Sequence, residues 1–380
     1  MNPDYLPQNK IFINMAALRH NFREVKRLAG DRQVMAIVKS DAYGHGLTPC
    51  ARTLAQAGAD SLGVNTIEEA LTLREHGVET PIHILGCISA PDQIELLVKH
   101  DFRLFSGSLS VIRTVADTAA RLNKVIALHL QVDTGLGGPG IALDEVEAAI
   151  KEICSYPNIR LLGLSTHLAT SGDWGAHEQL KKFDNLCLKS GMAGLRFPQD
   201  TVLDSGGLIW HSNHPAPLVR VGLMLYGVYP GPEIGPERPD LRPAMTVMSR
   251  INYIRDLAPG DTVGYGRYFT ARKPMRLAII PFGFAQGMLR SRSNRGWALI
   301  RGRRAPQVGL IAMNASTFDV TDIPDAQVGD NVVLLGRHST AVIKPSDLAG
   351  WCSSTPYEVL TLLGKLNPRY IEGSDYEENA

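Results

Sequence analysis

The sequence predicts an α/β chain in two parts: a (β/α)8 TIM barrel over residues 12–243, then a mainly β domain over 244–380 that takes in residues 1–11. Three observations carry this expectation. Short apolar runs alternate with helical periodicity through the first two thirds, and such alternation demands parallel strands, because each crossover returns the chain to the same edge. The runs number eight, the closing number of this barrel, in about 200 residues. Beyond residue 245 helical periodicity gives way to short strands separated by turns. Periodicity alone leaves an open doubly wound sheet as a competing fold.

Taken in order, Asn14 opens a helix with Leu18, Phe22 and Val25 on one face, and Gly30 closes it. Val34-Met35-Ala36-Ile37-Val38 is too short for a helix and reads as a buried parallel strand. Further strands are expected near 61–65, 81–85, 102–106, 124–132, 159–166, 201–204 and 218–222. The helical stretches between them include Thr66 to His76, Leu109 to Leu122, Leu143 to Tyr156 and Trp174 to Lys189. In the second part Ala244 to Ile254, Met275 to Pro281, Trp297 to Arg301, Gln307 to Ala312 and Asn331 to Leu335 read as strands. Turns such as Pro259-Gly260-Asp261, Gly302-Arg303-Arg304 and Val328-Gly329-Asp330 separate them, and Pro356 to Lys365 reads as a helix. The acidic tail, Glu372 to Ala380, reads as frayed.

Composition narrows the function classes. The 380 residues are 44% hydrophobic and 20% charged, which suits a globular chain and not a disordered one. Lys and Arg total 39 against 38 Asp and Glu, so no global field favours nucleic acid or an anionic membrane. No apolar run approaches the ~20 residues of a membrane span, and Met1-Asn2-Pro3-Asp4 lacks the basic start of a secretion signal. The five cysteines are far apart with no C-x-x-C, as free thiols in a reducing compartment would be. A cytoplasmic chain with no metal site is expected.

Two suggestive patterns receive bland readings. Gly135-Leu136-Gly137-Gly138-Pro139-Gly140 satisfies G-x-G-x-x-G, but the next strand ends Leu164-Ser165-Thr166-His167 without the carboxylate that would hold a ribose. Arg290, Arg292, Arg295, Arg301, Arg303 and Arg304 crowd one stretch, yet no aromatic platform for nucleic acid is evident beside them, and solvated turns explain them.

The most informative stretch is Lys39-Ser40-Asp41-Ala42-Tyr43-Gly44-His45-Gly46. An amine at the C-terminal tip of a first barrel strand faces the mouth where chemistry happens. Partly desolvated, it is available to attack a carbonyl. On these grounds alone a snorkelling lysine at a strand end remains an equal alternative. The octapeptide resembles the pyridoxal-phosphate attachment site of alanine racemases, and four more stretches match that family in order. They are Ser165 to Thr170, Asp204-Ser205-Gly206, Val219 to Gly227, and Val263-Gly264-Tyr265-Gly266 in the β domain.

The resemblance implies a barrel that carries pyridoxal 5'-phosphate on Lys39 and racemises amino acids with two bases. Lys39 would serve one face and Tyr265, from the β domain of a partner subunit, the other, in a head-to-tail homodimer with shared sites. Arg220 would face the ring nitrogen, and a fixed cation there disfavours ring protonation. His167 would stack near the ring and link Arg220 to Tyr265. Ser205, Gly222, Leu223 and Tyr43 would hold the phosphate, and the loops after strands seven and eight commonly do so in barrels. The Met313 amide would hold the substrate carboxylate.

The substrate side departs from the family pattern. Where the family has DTGxGR, Asp133-Thr134-Gly135-Leu136-Gly137 is followed by Gly138, and Gln131 stands in place of a lysine that the family often carbamylates. Losing both avoids an unpaired buried charge. Phe284, Gln286, Leu310, Asn314, Ser171 and Thr201 also replace polar or charged family residues, and Lys365 falls near the place of a tyrosine. The space at Gly138 therefore suggests alanine or a somewhat larger neutral amino acid as substrate. A decarboxylase of the same fold resembles the chain less, because Cys352 in Trp351-Cys352-Ser353 lacks the acidic neighbours of that family's catalytic segment. A non-catalytic carrier of the cofactor would need no β domain bearing Tyr265.

Overall fold

The computed structural model describes residues 7–192, 194–195, 197–231 and 238–373. They form two compact units, one of Leu18–Ala42 and Leu47–Leu241, the other of the residues up to Ala17, Tyr43–Gly46, and Arg242 onward.

The first unit is the barrel. Gln33–Ile37, Ser61–Val64, Ile82–Ile84, Arg103–Ser106, Ile126–Gln131 and Ile159–Ser165 pair in sequence order, and Leu218–Val221 pairs back onto Gln33–Ile37, all parallel. These strands are buried apart from Gln33, Arg103, Arg160, Leu161 and Gln131, as expected of a sheet covered on both faces. The expected seventh strand at 201–204 is not a regular strand, which corrects the sequence expectation. The stretch still closes the ring. Thr201 N donates to Leu164 O (2.9 Å) and Thr166 N to Thr201 O (3.1 Å) on one side, and Arg220 N donates to Leu203 O (2.9 Å) on the other. The ladder breaks because the Gln199 carbonyl turns to His129 Nε2 (3.1 Å), and the Leu164 amide then takes Asp200 Oδ1 (2.7 Å).

The crossover helices begin where local side chains can satisfy their first amides. Asn14 Oδ1 accepts Ala17 N (2.8 Å) ahead of Met15–Ala29, and Thr66 and Ser108 cap Ile67–Glu75 and Leu109–Arg121. Val146–Ser155 and Trp174–Met192 complete the expected set, and Leu47–Gln56 and Pro91–Lys99 are additional. No described helix is long and apolar enough to cross a membrane.

Two histidines sit wholly buried inside the barrel. His83 and His129 lie 5.4 Å apart ring to ring, and Phe105 stacks on His129 at 4.3 Å. Burial above all, then the neighbouring charges, pushes His83 well below the ordinary imidazole value. Burial likewise pushes His129 to about 3, against a weaker opposing bond to Gln199 O. The unfolded chain takes up a proton near 6.5, which the native His129 refuses until about 3. Each such group therefore removes ~1.4 kcal/mol of stability per pH unit as pH falls through that window. Chemical denaturation across pH 5–6.5 should show this slope, and His129→Gln should lessen it by one proton's worth. An unchanged slope in the variant contradicts this assignment.

The second unit is mainly β. One sheet runs Arg303–Pro306, Trp297–Ile300, Asn331–His338, Met245–Arg250, Lys10–Asn14, Arg369–Glu372, with Ala341–Ile343 alongside Asn331–His338. A second runs Tyr253–Leu257, Met275–Ile280, Ser316–Asp319. Helix Pro356–Lys365 has the bounds read from sequence, and Pro345–Cys352 precedes it. Gln307 to Ala312 is not a strand. Gln307 makes an isolated antiparallel bridge to Phe318 and Val308 N donates to Thr317 O (3.0 Å), but Gln307 Nε2 donates to the carbonyls of Val308 and Gly309, and Gly309 takes φ +77°, which ends the pairing there.

The arginine-rich stretch does have aromatic company, contrary to expectation. Arg292 and Arg304 lie over Trp351 and Trp297 (5.0 and 4.4 Å), whose rings meet edge to face at 4.6 Å. Arg301 pairs with Asp330 (2.6 Å) and Asp325 (3.3 Å). These arginines are engaged within the domain. Cys352 is buried, and burial raises its thiol pKa, so it is a poor nucleophile.

Candidate active site

Lys39 follows the strand Gln33–Ile37, and the chain after it does something unusual. Ser40, Asp41, Ala42 and Tyr43 all have φ between 52 and 58°, a turn of left-handed helix without a single glycine. Such backbone costs about 1–2 kcal/mol per residue, and it persists because its surroundings hold it. Ala42 N donates to Val38 O (2.8 Å), Asp41 Oδ1 accepts Leu47 N (2.7 Å), and Asp41 N donates to Glu69 Oε1 (3.2 Å). Gly44 continues at φ +82°, where a Cβ would stand 2.5 Å from Leu360 O, so only glycine fits against helix Pro356–Lys365. Burial, then the Arg220 charge, lowers the Lys39 pKa, with Glu69 opposing weakly.

Arg220, on the last barrel strand, is the buried cation of the mouth. Its Nη1 donates to Thr201 Oγ1 (2.8 Å) and its Nη2 to Thr166 O (2.7 Å). Burial brings it down to about 10, with Asp204 opposing, so it stays charged at neutral pH. Nη2 also reaches His167 Nδ1 at 3.4 Å. That makes Nδ1 an acceptor and leaves the ring proton on Nε2, which faces Asp204 Oδ2 at 4.0 Å. Burial above all, then Arg220, lowers the His167 pKa, against Asp204, which favours the neutral ring. The expected Arg220–His167 contact is present. Tyr265 lies in the other unit.

Ser205 Oγ accepts Gly222 N (3.1 Å) and Met224 N (3.5 Å), which gathers the serine turn and the Gly222-Leu223 turn at one place. Both bonds use the oxygen, which leaves the hydroxyl proton to serve an anion. Tyr43 ends the left-handed turn, and its ring lies 5.7 Å from that of Tyr357. The tyrosine near Tyr43 is Tyr357, in the first turn of the helix that Lys365 ends. Sequence spacing gives no signal for that pair, which only the packing at Gly44 creates.

The glycine-rich loop has a local purpose. Asp133 accepts the amides of Gly135 (2.9 Å), Leu136 (2.9 Å) and Gly137 (3.1 Å), and the Gly135 bond above all lowers its pKa. Amides spent on Asp133 are not offered to a phosphate. Thr134 Oγ1 bonds Thr166 Oγ1 (2.9 Å), and Gln179 Nε2 reaches Thr134 Oγ1 (3.1 Å) and His167 O (3.0 Å), tying the loop to the Arg220 neighbourhood. Gly138 rims a cleft with Gln131.

In the β unit Tyr265 sits at the tip of the hairpin Thr262–Val263/Phe269–Thr270 and is 71% exposed. Met313 is exposed and Phe284 partly so, on one rim, since Phe284 N donates to Ala312 O (3.1 Å) and Ala285 N to Met313 O (2.9 Å).

An amine whose pKa is lowered by burial, at the mouth of a parallel barrel, is the kind of group with which an enzyme binds a carbonyl. The particular family follows from comparison. The profile described as Alanine racemase, N-terminal domain, matches residues 13–230, and its C-terminal counterpart matches 244–371. The chain belongs to the alanine racemase family. An alanine racemase of Halothermothrix orenii is 35% identical over 361 residues, 94% of this chain and 95% of its own length. That of Syntrophobacter fumaroxidans is 37% identical over 93% of this chain and 94% of its own. Among solved structures, alanine racemase of Streptomyces coelicolor superposes with a TM-score of 0.90 at 29% identity, covering 97% of this chain and 98% of that one. The structure from Bartonella henselae, with covalently bound pyridoxal phosphate, gives 0.86 at 29%, covering 96% and 100%.

Proposed function

We propose that the chain interconverts the L and D forms of alanine, using pyridoxal phosphate carried on Lys39. The observation that carries this reading is the Lys39 amine, lowered in pKa at the barrel mouth beside a buried, charged Arg220. The donor set suits the cofactor: an amine for its aldehyde, a guanidinium for its ring nitrogen, and the Ser205 hydroxyl with the Gly222-Leu223 turn and Tyr43 for its phosphate. When bound, the cofactor supplies the electron sink that lets an amino acid release its α-proton.

The remaining work belongs to the protein. Lys39 takes the proton on one face, which its lowered pKa favours by populating the neutral amine. Racemisation needs delivery on the opposite face, and the partner subunit's Tyr265 is the group for it, in a head-to-tail homodimer. An exposed phenol with Tyr268 and Met313 also exposed in the same unit suits a surface that a second copy covers. Neutral His167 accepts from Arg220 and keeps that guanidinium aimed, and the Met313 amide holds the substrate carboxylate. The test is incubation of L-alanine with the cofactor-loaded protein in deuterated water. Deuterium should enter the α position as D-alanine appears. Loss of carbon dioxide instead indicates a decarboxylase, and absence of exchange indicates a mere carrier.

A further inference from the structure

We propose that the cleft over the ends of the strands Ile82–Ile84, Arg103–Ser106 and Ile126–Gln131 receives the side chain of an uncharged amino acid larger than alanine. This rests on the racemase reading and extends it to a substrate class. The cleft holds about 370 Å³, far more than a methyl group needs. Phe105 and Val111 give it apolar wall, and Ser106, Ser108 and Gln131 give it neutral polar groups. Among the described residues no Lys, Arg, Asp or Glu lines it, and the titratable group there is the Cys87 thiol. The carboxylate of the adjoining loop, Asp133, is turned inward onto three amides of that loop.

Position follows from the hydrogen bonds. The loop that carries Gly138 is joined to the reacting end of the barrel through Thr134 Oγ1 to Thr166 Oγ1 (2.9 Å), and the Thr166 carbonyl accepts Arg220 (2.7 Å). With the substrate carboxylate assigned to the Met313 amide, the part of the substrate left for the cleft is the side chain. An ionised side chain would lose its water there with no counter-charge, which is costly. An uncharged chain gains roughly fourfold in affinity per buried methylene.

The rim is open by residue choice and not by backbone necessity. A Cβ on Gly138 would meet only the Leu136 side chain, at 3.4 Å, and the residue has no left-handed φ. Its neighbours differ: a Cβ on Gly140 would stand 2.5 Å from Asp133 N, and one on Gly107 2.6 Å from the Gly140 Cα. Gly138 is thus the place where a side chain can be added to fill the cleft.

The test compares kcat/KM of the holoenzyme for alanine, 2-aminobutyrate, norvaline, methionine, glutamine, glutamate and lysine. A parallel calorimetric titration uses the borohydride-reduced holoenzyme, which binds without turnover. The ratio of kcat/KM for methionine over alanine should exceed one, and Gly138→Leu and Gly138→Arg should each lower it by about tenfold or more. The reduced enzyme should bind methionine and glutamine more tightly than alanine, and Gly138→Leu should cancel that difference. If alanine is racemised but no longer chain surpasses it and neither variant moves the ratio, the cleft proposal falls while the racemase reading stands. If glutamate or lysine equals methionine, the neutral-substrate assignment falls. If alanine is inert and exchanges no α-hydrogen, the racemase reading itself fails.

Discussion

Lys39→Ala is expected to abolish racemisation, with a loss of about 10⁴-fold or more, because one residue supplies both the covalent anchor and a base. The fold should not suffer. Val34 to Val38, the apolar run that precedes position 39, is buried independently of the lysine, and the left-handed turn is held by Val38 O, Leu47 and Glu69. Removing an amine whose pKa is lowered by burial and by Arg220 relieves a like-charge contact, so the unfolding midpoint should stay level or rise. Loss of activity with retained stability separates a working lysine from a structural one. Borohydride treatment of the wild-type protein should fix the cofactor on Lys39, as peptide mass mapping would reveal. Dialysis should strip it from Lys39→Ala. A label on any other residue, or a variant retaining a tenth of the activity, overturns the assignment.

The barrel was legible because its strands are buried on both faces and read as plain apolar runs, such as Val34 to Val38, bounded by helices with recognisable caps. The seventh stave was legible as an apolar stretch but not in its irregularity, which arises when Gln199 commits its carbonyl to His129, 70 residues away. The left-handed turn after Lys39 had no signal at all. Ser-Asp-Ala-Tyr carries no glycine, and the conformation is imposed by Leu47 and Glu69. Lys39 and Arg220 could be found from ordered motifs, whereas their supports could not. The Thr166 carbonyl that accepts Arg220 is backbone and leaves no trace in residue type. Tyr357 meets Tyr43 only because Gly44 lets the helix Pro356–Lys365 come close. The arginine stretch misled in one respect: Trp297 is in the same stretch but Trp351 is not, and the aromatic pair forms only in the fold.

Mixing two inactive proteins should restore activity if the two bases come from different subunits. Tyr265→Phe alone should lower racemisation by about 10²–10⁴-fold, since a ring without its hydroxyl cannot move a proton. The substitution touches a side chain 71% exposed at a hairpin tip, so folding is little affected. Lys39→Ala and Tyr265→Phe chains, unfolded and refolded together, form heterodimers as half of a random population. In each heterodimer one site joins Lys39 of one subunit to the partner subunit's Tyr265, and the other site lacks both. The mixture should therefore recover about a quarter of the wild-type rate, as two-fold symmetry requires. If both bases sat on the same chain, every site in every dimer would lack one of them and the mixture would stay as inactive as its parents. An intermediate check comes from α-hydrogen exchange in the separate proteins. With one face disabled, Tyr265→Phe should still exchange the α-hydrogen of one enantiomer of alanine and spare the other, because Lys39 on the remaining face reaches only the proton that points toward it.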